Sequence, residues 1–403
     1  MNPDLRLVLL SAVPENAELR RQWNGLLLTL DDPQVFYTYE WALAVQRAYS
    51  ETLRPLLFLA YDGQQSLCGI AALATHPNGS HATFLCATTG DYCDFLSSPV
   101  HRPWFVGAVL LELKKLGIFD VSLANLPADS ITVSALQHAS SQGGYRWFAR
   151  TAYHCAQISL AKLERRSGEK GPVLPGRKMV RRSLSAMGRK APVRLEHATS
   201  WEAISPILPQ FVEAHVARFR ATGRVSNLAK PERHAFLQHL GKLLSEAGWI
   251  VLTRMMSGDQ ALAWNYGFQF HGSWFWYQPT FDSDLERYSP GFCLLAKLVE
   301  EAAGNPAFEL VDLGLGAEEY KERFANQNRE TLYVTLRASL VRHVGGIVRY
   351  RALMVLKTFP TLEAAVRRIA AKVRPTAGSL QLSTRKAKAF RLMRRKFLGR
   401  LSA

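Results

Sequence analysis

Three groups of residues in this 403-residue chain have types and spacings that can do chemistry. Ser289-Pro290-Gly291 reads as the start of a helix, with Arg287 just before it. A proline early in a helix wastes no donor, the next backbone N–H groups are free to meet an anion, and the helix dipole favours negative charge there. The same residues also make a plain capped helix, Ser-Pro being an ordinary start signal. Asp91 and Asp94 in GDYCDF are the residue type of glycosidase carboxylate pairs. They stand three apart on a turn with no second sugar-cleaving motif, so the spacing favours loop capping. Arg181 and Arg182, in RKMVRRSLSAMGRK, can hold a phosphate or an anionic polymer, or simply carry solvated charge. The five cysteines, an odd number with no CxxC or Cys/His ligand spacing, point away from a disulfide framework and from a structural zinc; no metal is expected.

The elements that must position these residues alternate between strand and helix. In the first half a helix is predicted from Tyr39 to Tyr49. The strands LRPLLFLAYD and CGIAALATH follow, joined across Asp62-Gly63, then HATFLCATT. A helix at about 103–116, the buried strand FDVSLANL, a helix near 129–142 and a strand from Tyr145 to Leu160 complete the unit. Ser167–Lys190 reads as a Gly/Pro linker with one or two basic helical turns that expose Lys178, Arg181 and Arg182. The second half is expected to run as helices over about 201–220 and 231–247, three strands (Trp249–Met255, QALAWNYGFQF and SWFWYQPTF), the helix FCLLAKLVEEAAG, the strand FELVDLG and the short helix AEEYKERFANQ. A strand meander followed by a helix and a return strand occurs twice, which suggests two copies of one architecture.

Charge is distributed unevenly over the same map. Residues 161–195 are net +9 and residues 341–403 net +15, while the other 305 residues are net −7. Hydrophobic residues make up 48%, which excludes disorder for most of the chain. No apolar stretch approaches the roughly 18–20 residues of a spanning helix, and the N-terminal apolar run is too short for a signal peptide. A cytoplasmic protein is expected. The tail places Phe390, Met393, Phe397 and Leu401 at steps of 3, 4 and 4 among basic residues, an amphipathic pattern suited to an anionic membrane surface. Nucleic acid fits the charge but does not need the apolar stripe.

FxTxEW (Phe36, Thr38, Glu40, Trp41), GDYCDF (Gly90–Phe95), the basic RRSL and FDSDLERYSPG…DLGLGAEEYK resemble the CelD-like branch of the GNAT acyltransferase superfamily. That branch is similar in layout to the FemAB-like double-GNAT proteins. The resemblance covers roughly residues 20–330 and rests most on Ser289-Pro290-Gly291 and on DLGxGxExYK from Asp312 to Lys321. It implies an α/β fold of tandem GNAT-like domains, the C-terminal copy active and the N-terminal one degenerate. It also implies an acyl-CoA co-substrate lying where two parallel strands splay apart, with Arg287, Ser289, Gly291 and Phe292 holding its pyrophosphate. RYSPGF is poorer in glycine and basic residues than the usual loop of that superfamily, which keeps an aminoacyl-tRNA or another thioester donor open.

Transfer to an amine is helped by a base with a pKa near operating pH. His215 in FVEAHVARFR is the leading candidate, its alternative being a satisfied helix histidine. The resemblance implies Tyr320 as the acid that protonates the departing thiolate. Asp312 and Lys321 would orient the acceptor or form a structural ion pair. Within the aromatic strand pair, Tyr266 and Tyr277 can line an acceptor groove, and Arg181 and Arg182 can add anion contacts. The reading is an acyltransferase acting on an amine or hydroxyl acceptor in envelope polysaccharide or lipid synthesis. It is expected in four parts: 1–165, a basic linker 166–195, an active domain 196–340, and a tail 341–403 that holds it peripherally at the inner membrane face. Its rivals are a FemAB-like aminoacyl-tRNA-dependent transferase and a non-catalytic GNAT-like scaffold.

Overall fold

The computed structural model describes residues 5–77, 79–165, 171–316 and 318–357. Two units divide it, residues 1–343 and residues 344–403. The first unit begins with β1 (Arg6–Leu10), α1 (Ala17–Leu28), α2 (Tyr39–Ala48), β2 (Arg54–Tyr61), β3 (Leu67–Thr75), β4 (His81–Phe84) and the short β5 (Leu96–Ser97). α3 (Arg102–Lys115), β6 (Asp120–Pro127), α4 (Ile131–Gln142) and β7 (Arg146–Ser159) follow, and α5 (Arg177–Met187) joins the two halves. The second half runs β8 (Val193–Ala198), α6 (Trp201–Ile204), α7 (Leu208–Ala221), α8 (Pro231–Glu246), β9 (Ile250–Ser257), β10 (Gln260–Phe270) and β11 (Ser273–Phe281). It ends with α9 (Pro290–Gly304), β12 (Leu310–Asp312), α10 (Glu319–Phe324) and β13 (Gln327–Arg337).

All thirteen strands among the described residues belong to one sheet, ordered β1-β2-β3-β4-β6-β13-β7-β12-β11-β10-β9-β8, with β5 beside β3. Setting β5 and α5 aside, each half spells the same series: strand, helices, three-strand meander, helix, strand, helix, strand. Each half also has one parallel pair of three residues, His81–Thr83 against Asp120–Ser122 and Ser273–Phe275 against Leu310–Asp312. The last strands are exchanged. β7, from the first half, pairs with β12, and β13, from the second, pairs with β6; the two lie side by side at the centre.

Local sequence explains the boundaries. Thr38 caps α2 by accepting from the Trp41 N–H, and Ser130 caps α4 by accepting from Thr132. FxTxEW is thereby a packing and capping motif. Phe36 and Trp41 meet edge to face, and buried Glu40 is neutralised by Arg20 at 2.6 Å with Asn24 beside it. The single helix expected over 201–220 is two, α6 and α7. Pro206 falls between them, lacking the N–H a continuous helix would need, while Pro209 sits harmlessly in the first turn of α7. Alternation along β10 and β11 sends Trp264, Tyr266, Phe268 and Tyr277 to a core shared with α2 and α8, and Trp274 and Trp276 to a second core under α9.

The described part of the second unit is residues 344–357 of α11 (Leu340–Lys357), where Ile347 and Leu353 alternate with Arg349 and Arg351. The tail stripe Phe390, Met393, Phe397 and Leu401 lies outside the described residues. Among the described residues no helix is long and apolar enough to cross a membrane, and no group of His, Cys, Asp and Glu has the arrangement of a metal site.

Candidate active site

β11 is nine residues long but pairs with β12 over only three, because β12 ends at Asp312. A bulge follows at once. Tyr266 stands opposite Gln278 and Phe268 opposite Phe275, so the extra residue of β11 lies at Trp276–Tyr277. Beyond Phe275 the main chain of β11 therefore leaves the register of β10 and runs past the end of β12, a backbone edge into which an extended ligand can insert. A 3-10 turn over Ser283–Tyr288 then leads into α9.

At that turn Arg287 is exposed over the Tyr288 ring, and Ser289 is exposed with φ of 50°, a left-handed conformation uncommon outside glycine. Gly291 lies against Phe281: a Cβ there would come within 3.2 Å of its ring. Its smallness lets the helix start approach the strand, leaving the first-turn amides at the head of the groove. Phe292 is different. Its side chain is buried against Phe324 under Arg323, so it belongs to the core, and only its main chain is placed to meet a ligand.

On the α8 side of the bulge lies a polar cluster that the strand edge alone does not reveal. Asp91 packs against Gly314, whose φ of 69° requires glycine, and a Cβ there would come within 2.4 Å of Asp91 Oδ2. The Leu315 N–H donates to the same carboxylate. Burial and then the neighbouring Asp312 push its pKa up, Lys321 and Arg233 hold it back, and it settles at about 7. Part of the Asp91 surface stays open to solvent. Nearby, Arg233 donates to the Tyr277 hydroxyl at 2.6 Å, and Tyr277 donates to the Thr89 carbonyl at 2.5 Å.

The residues expected from sequence separate into two sets. Asp312 is buried and accepts from Tyr92 (2.8 Å), Gln157 (2.8 Å) and the Gly314 N–H (2.7 Å), so it holds the loop after β12 rather than a ligand. Lys321 is buried, donates to the Leu315 carbonyl at 2.7 Å and pairs with Glu318 at 2.9 Å; the pairing expected with Asp312 is not the one it makes. Both shape the loop that presents Gly314 to Asp91. Tyr266 is wholly buried and donates to the Leu237 carbonyl, so it lines no groove. His215 is buried, stacked on Phe219 and hydrogen-bonded through Nδ1 to Ser226 at 2.8 Å. Burial, then Arg218 and Arg233, lower its pKa to about 3, leaving it neutral and weakly basic at pH 7. Tyr320 is half-buried, and its hydroxyl accepts from Trp276 Nε1 at 3.1 Å, beside the bulge and on the α9 side. Burial raises its pKa, keeping the phenol protonated. Arg181 and Arg182 are exposed on α5 with Lys178, and that helix packs on α9 and on the turn before it.

Asp91 was visible in sequence only as half of a turn pair. Arg218 and Arg233 carried no motif. Arg218 is partly buried between Phe219 and Phe281 near Tyr320, and its Nε has no hydrogen-bond partner.

Residues 176–322 match the acetyltransferase (GNAT) domain family. The fold is GNAT-like. FemX superposes with a TM-score of 0.54 at 9% identity, over 82% of this chain and 98% of that one. The C-terminal domain of a proposed lysylphosphatidylglycerol synthetase from Agrobacterium fabrum gives 0.52 at 12% identity, over 84% and 97%. A protein of unknown function from Bacteroides thetaiotaomicron gives 0.52 at 11%, over 82% and 100%. These likenesses establish the fold. No curated protein sequence matches significantly. The GNAT match covers α5 through α10, the stretch that holds the bulge, the end of β12 and Tyr320.

Proposed function

We propose that the second repeat transfers an acyl group from acyl-CoA to an amine acceptor, with Asp91 from the first repeat as general base. The observation that carries this reading is a carboxyl group held against Gly314 beside the bulge of β11, with its pKa pushed up to about 7 by burial and by Asp312. A base matched to operating pH accepts a proton from an ammonium or attacking amine far better than an ordinary carboxylate does. The residues fit an acyl-CoA: Arg287 and the first amides of α9 for the pyrophosphate, and the edge of β11 for the extended pantetheine.

Each residue then has a defined task. Asp91 takes the proton that the amine loses as its nitrogen bonds to the thioester carbonyl carbon. The main chain at Trp276–Tyr277 meets the charge developing on the carbonyl oxygen. As the carbon–sulfur bond breaks, Tyr320 gives its phenolic proton to the leaving sulfur. Asp91 and Tyr320 reach the bulge from opposite faces of the sheet, which keeps acceptor and donor apart until they meet there. The CelD-like resemblance supports an acceptor in envelope polysaccharide or lipid synthesis, and the +15 charge of residues 341–403 supports a tail that rests on an anionic membrane.

A second reading, transfer of an aminoacyl group from tRNA, is favoured by one observation: the exposed basic residues of α5 flank the start of α9. The deciding experiment follows release of the coenzyme A thiol from acetyl-CoA with a panel of alkylamines and amino sugars. The acyl-CoA reading expects kcat/KM to rise tenfold per pH unit below about 7 and to level off above it. Asp91→Asn should lower the plateau 10²-fold or more and abolish that limb. Unchanged rates in Asp91→Asn would overturn the role of Asp91. No turnover with any amine, alongside salt-sensitive tRNA binding lost on charge reversal at Arg181 and Arg182, would favour the second reading.

A further inference from the structure

The first repeat has its own counterpart of the donor groove, and it is built for the opposite charge. The segment leading into α3 and the start of α4 stand where the start of α9 and the start of α10 stand in the second repeat. A cavity of about 250 Å³ lies there. Asp94 already occupies the anion position: it accepts from the Phe95 N–H at 2.7 Å and from Ser130 at 2.6 Å, and faces Arg102 at 3.5 Å. Arg102, in turn, is buried and spent on Ser97 and Thr132. A phosphate placed there would meet a carboxylate before it met a free cation.

What remains for a ligand is acidic. Asp31, Asp32, Asp94 and Asp129 line the cavity against Arg102 and Arg329, a net charge of −2. Asp31, Asp32 and Asp129 are exposed at its rim. Arg329, over the Tyr92 ring, reaches Asp32 Oδ2 at 2.6 Å and Asp129 Oδ1 at 3.0 Å through the same nitrogen, so one guanidinium is shared between two carboxylates. A second observation is independent of this charge. Tyr37 lines the same cavity, is only 8% exposed, and its hydroxyl has no hydrogen-bond partner. Leaving a buried hydroxyl unmatched costs free energy, which a ligand donor can recover. The same Tyr37, Asp94 and Leu96 also line a smaller recess of about 30 Å³, walled by Trp23, Phe36 and Phe84.

We propose that this cavity binds a small organic ammonium ion, its charge held by Asp31, Asp32 and Asp129 and one N–H given to the Tyr37 hydroxyl. An ammonium answers the acidic rim, where carboxylates outnumber the two arginines, and donates to the partnerless Tyr37 hydroxyl, while short methylene groups suit the inner side. The site is separate from acyl transfer, because Asp94 faces this cavity while Asp91 faces the second repeat. The test is calorimetric titration of the full chain with 1,4-diaminobutane, using 1,4-butanediol as the uncharged control. Saturable binding of the diamine and none of the diol are expected, the site in this cavity being the one that Asp31→Asn and Asp129→Asn weaken. Asp129→Asn and Asp31→Asn should each weaken binding at least fivefold, and Tyr37→Phe by a similar factor. Asp31 is exposed, so its substitution leaves the fold intact. Absence of saturable diamine binding, equal binding of the diol, or full affinity in Asp31→Asn and Asp129→Asn would overturn the proposal.

Discussion

Asp91 and Asp94 show how three positions of sequence separate two chemistries. Asp94 is met by Arg102, Ser130 and a main-chain N–H, whereas Asp91 has one main-chain donor and lies near the like charge of Asp312. A carboxyl whose pKa is raised on folding favours the fold while protonated. That stability is complete below the unfolded pKa near 4 and is lost as pH rises through about 7. Asp91→Asn should therefore be more stable than the unaltered chain at pH 8, by about 2 kcal/mol, with the gap closing near pH 4; chemical denaturation at the two pH values measures it. Tyr320→Phe keeps the ring in its packing and removes only the proton and the acceptor for Trp276. Its expected effect is roughly 10²-fold on kcat with KM little changed, read from steady-state kinetics. These roles were only partly legible. Tyr320 follows from a motif, but the pKa of Asp91 depends on Asp312, Lys321 and Arg233, which lie far along the chain. His215 drew attention as the residue type that titrates near neutrality, and burial beside two arginines removes that property.

At the scale of elements, most strands and helices could be read from periodicity and turn residues, because their sequences carry caps and breakers. Thr38, Ser130, Asp62-Gly63 and Pro290 all mark boundaries that the structure keeps. The bulge of β11 was not legible, since the aromatic run Trp274–Tyr277 carries no break and the extra residue exists only against β10. The loop after β12 is where element and site meet. Gly314 combines a positive φ with direct contact to Asp91. Gly314→Ala should strain the backbone and drive Asp91 out of place, costing about 2 kcal/mol or more in stability and lowering activity beyond what that loss explains. Thermal unfolding and kinetics on the same sample separate the two effects.

At the scale of the whole molecule, two copies of one architecture were visible as a repeated order of elements, but not that they trade their last strands. Exchange is a property of pairing across more than a hundred residues, and no local pattern encodes it. It means that β6 and β12 are each completed by the other half. A fragment ending at Arg165 should accordingly leave the β6 edge open and be insoluble alone, while co-expression with residues 166–343 should restore a soluble complex, checked by size-exclusion chromatography. The two repeats are unequal in chemistry: the groove start at Gly291 is open to an anion, and its counterpart is filled by Asp94. The most direct measurement is calorimetric titration of the full chain with acetyl-CoA. One site per chain is predicted, abolished by Gly291→Val and retained in Asp94→Asn. No binding, two sites, or full affinity in Gly291→Val would contradict the assignment of the donor groove to the second repeat.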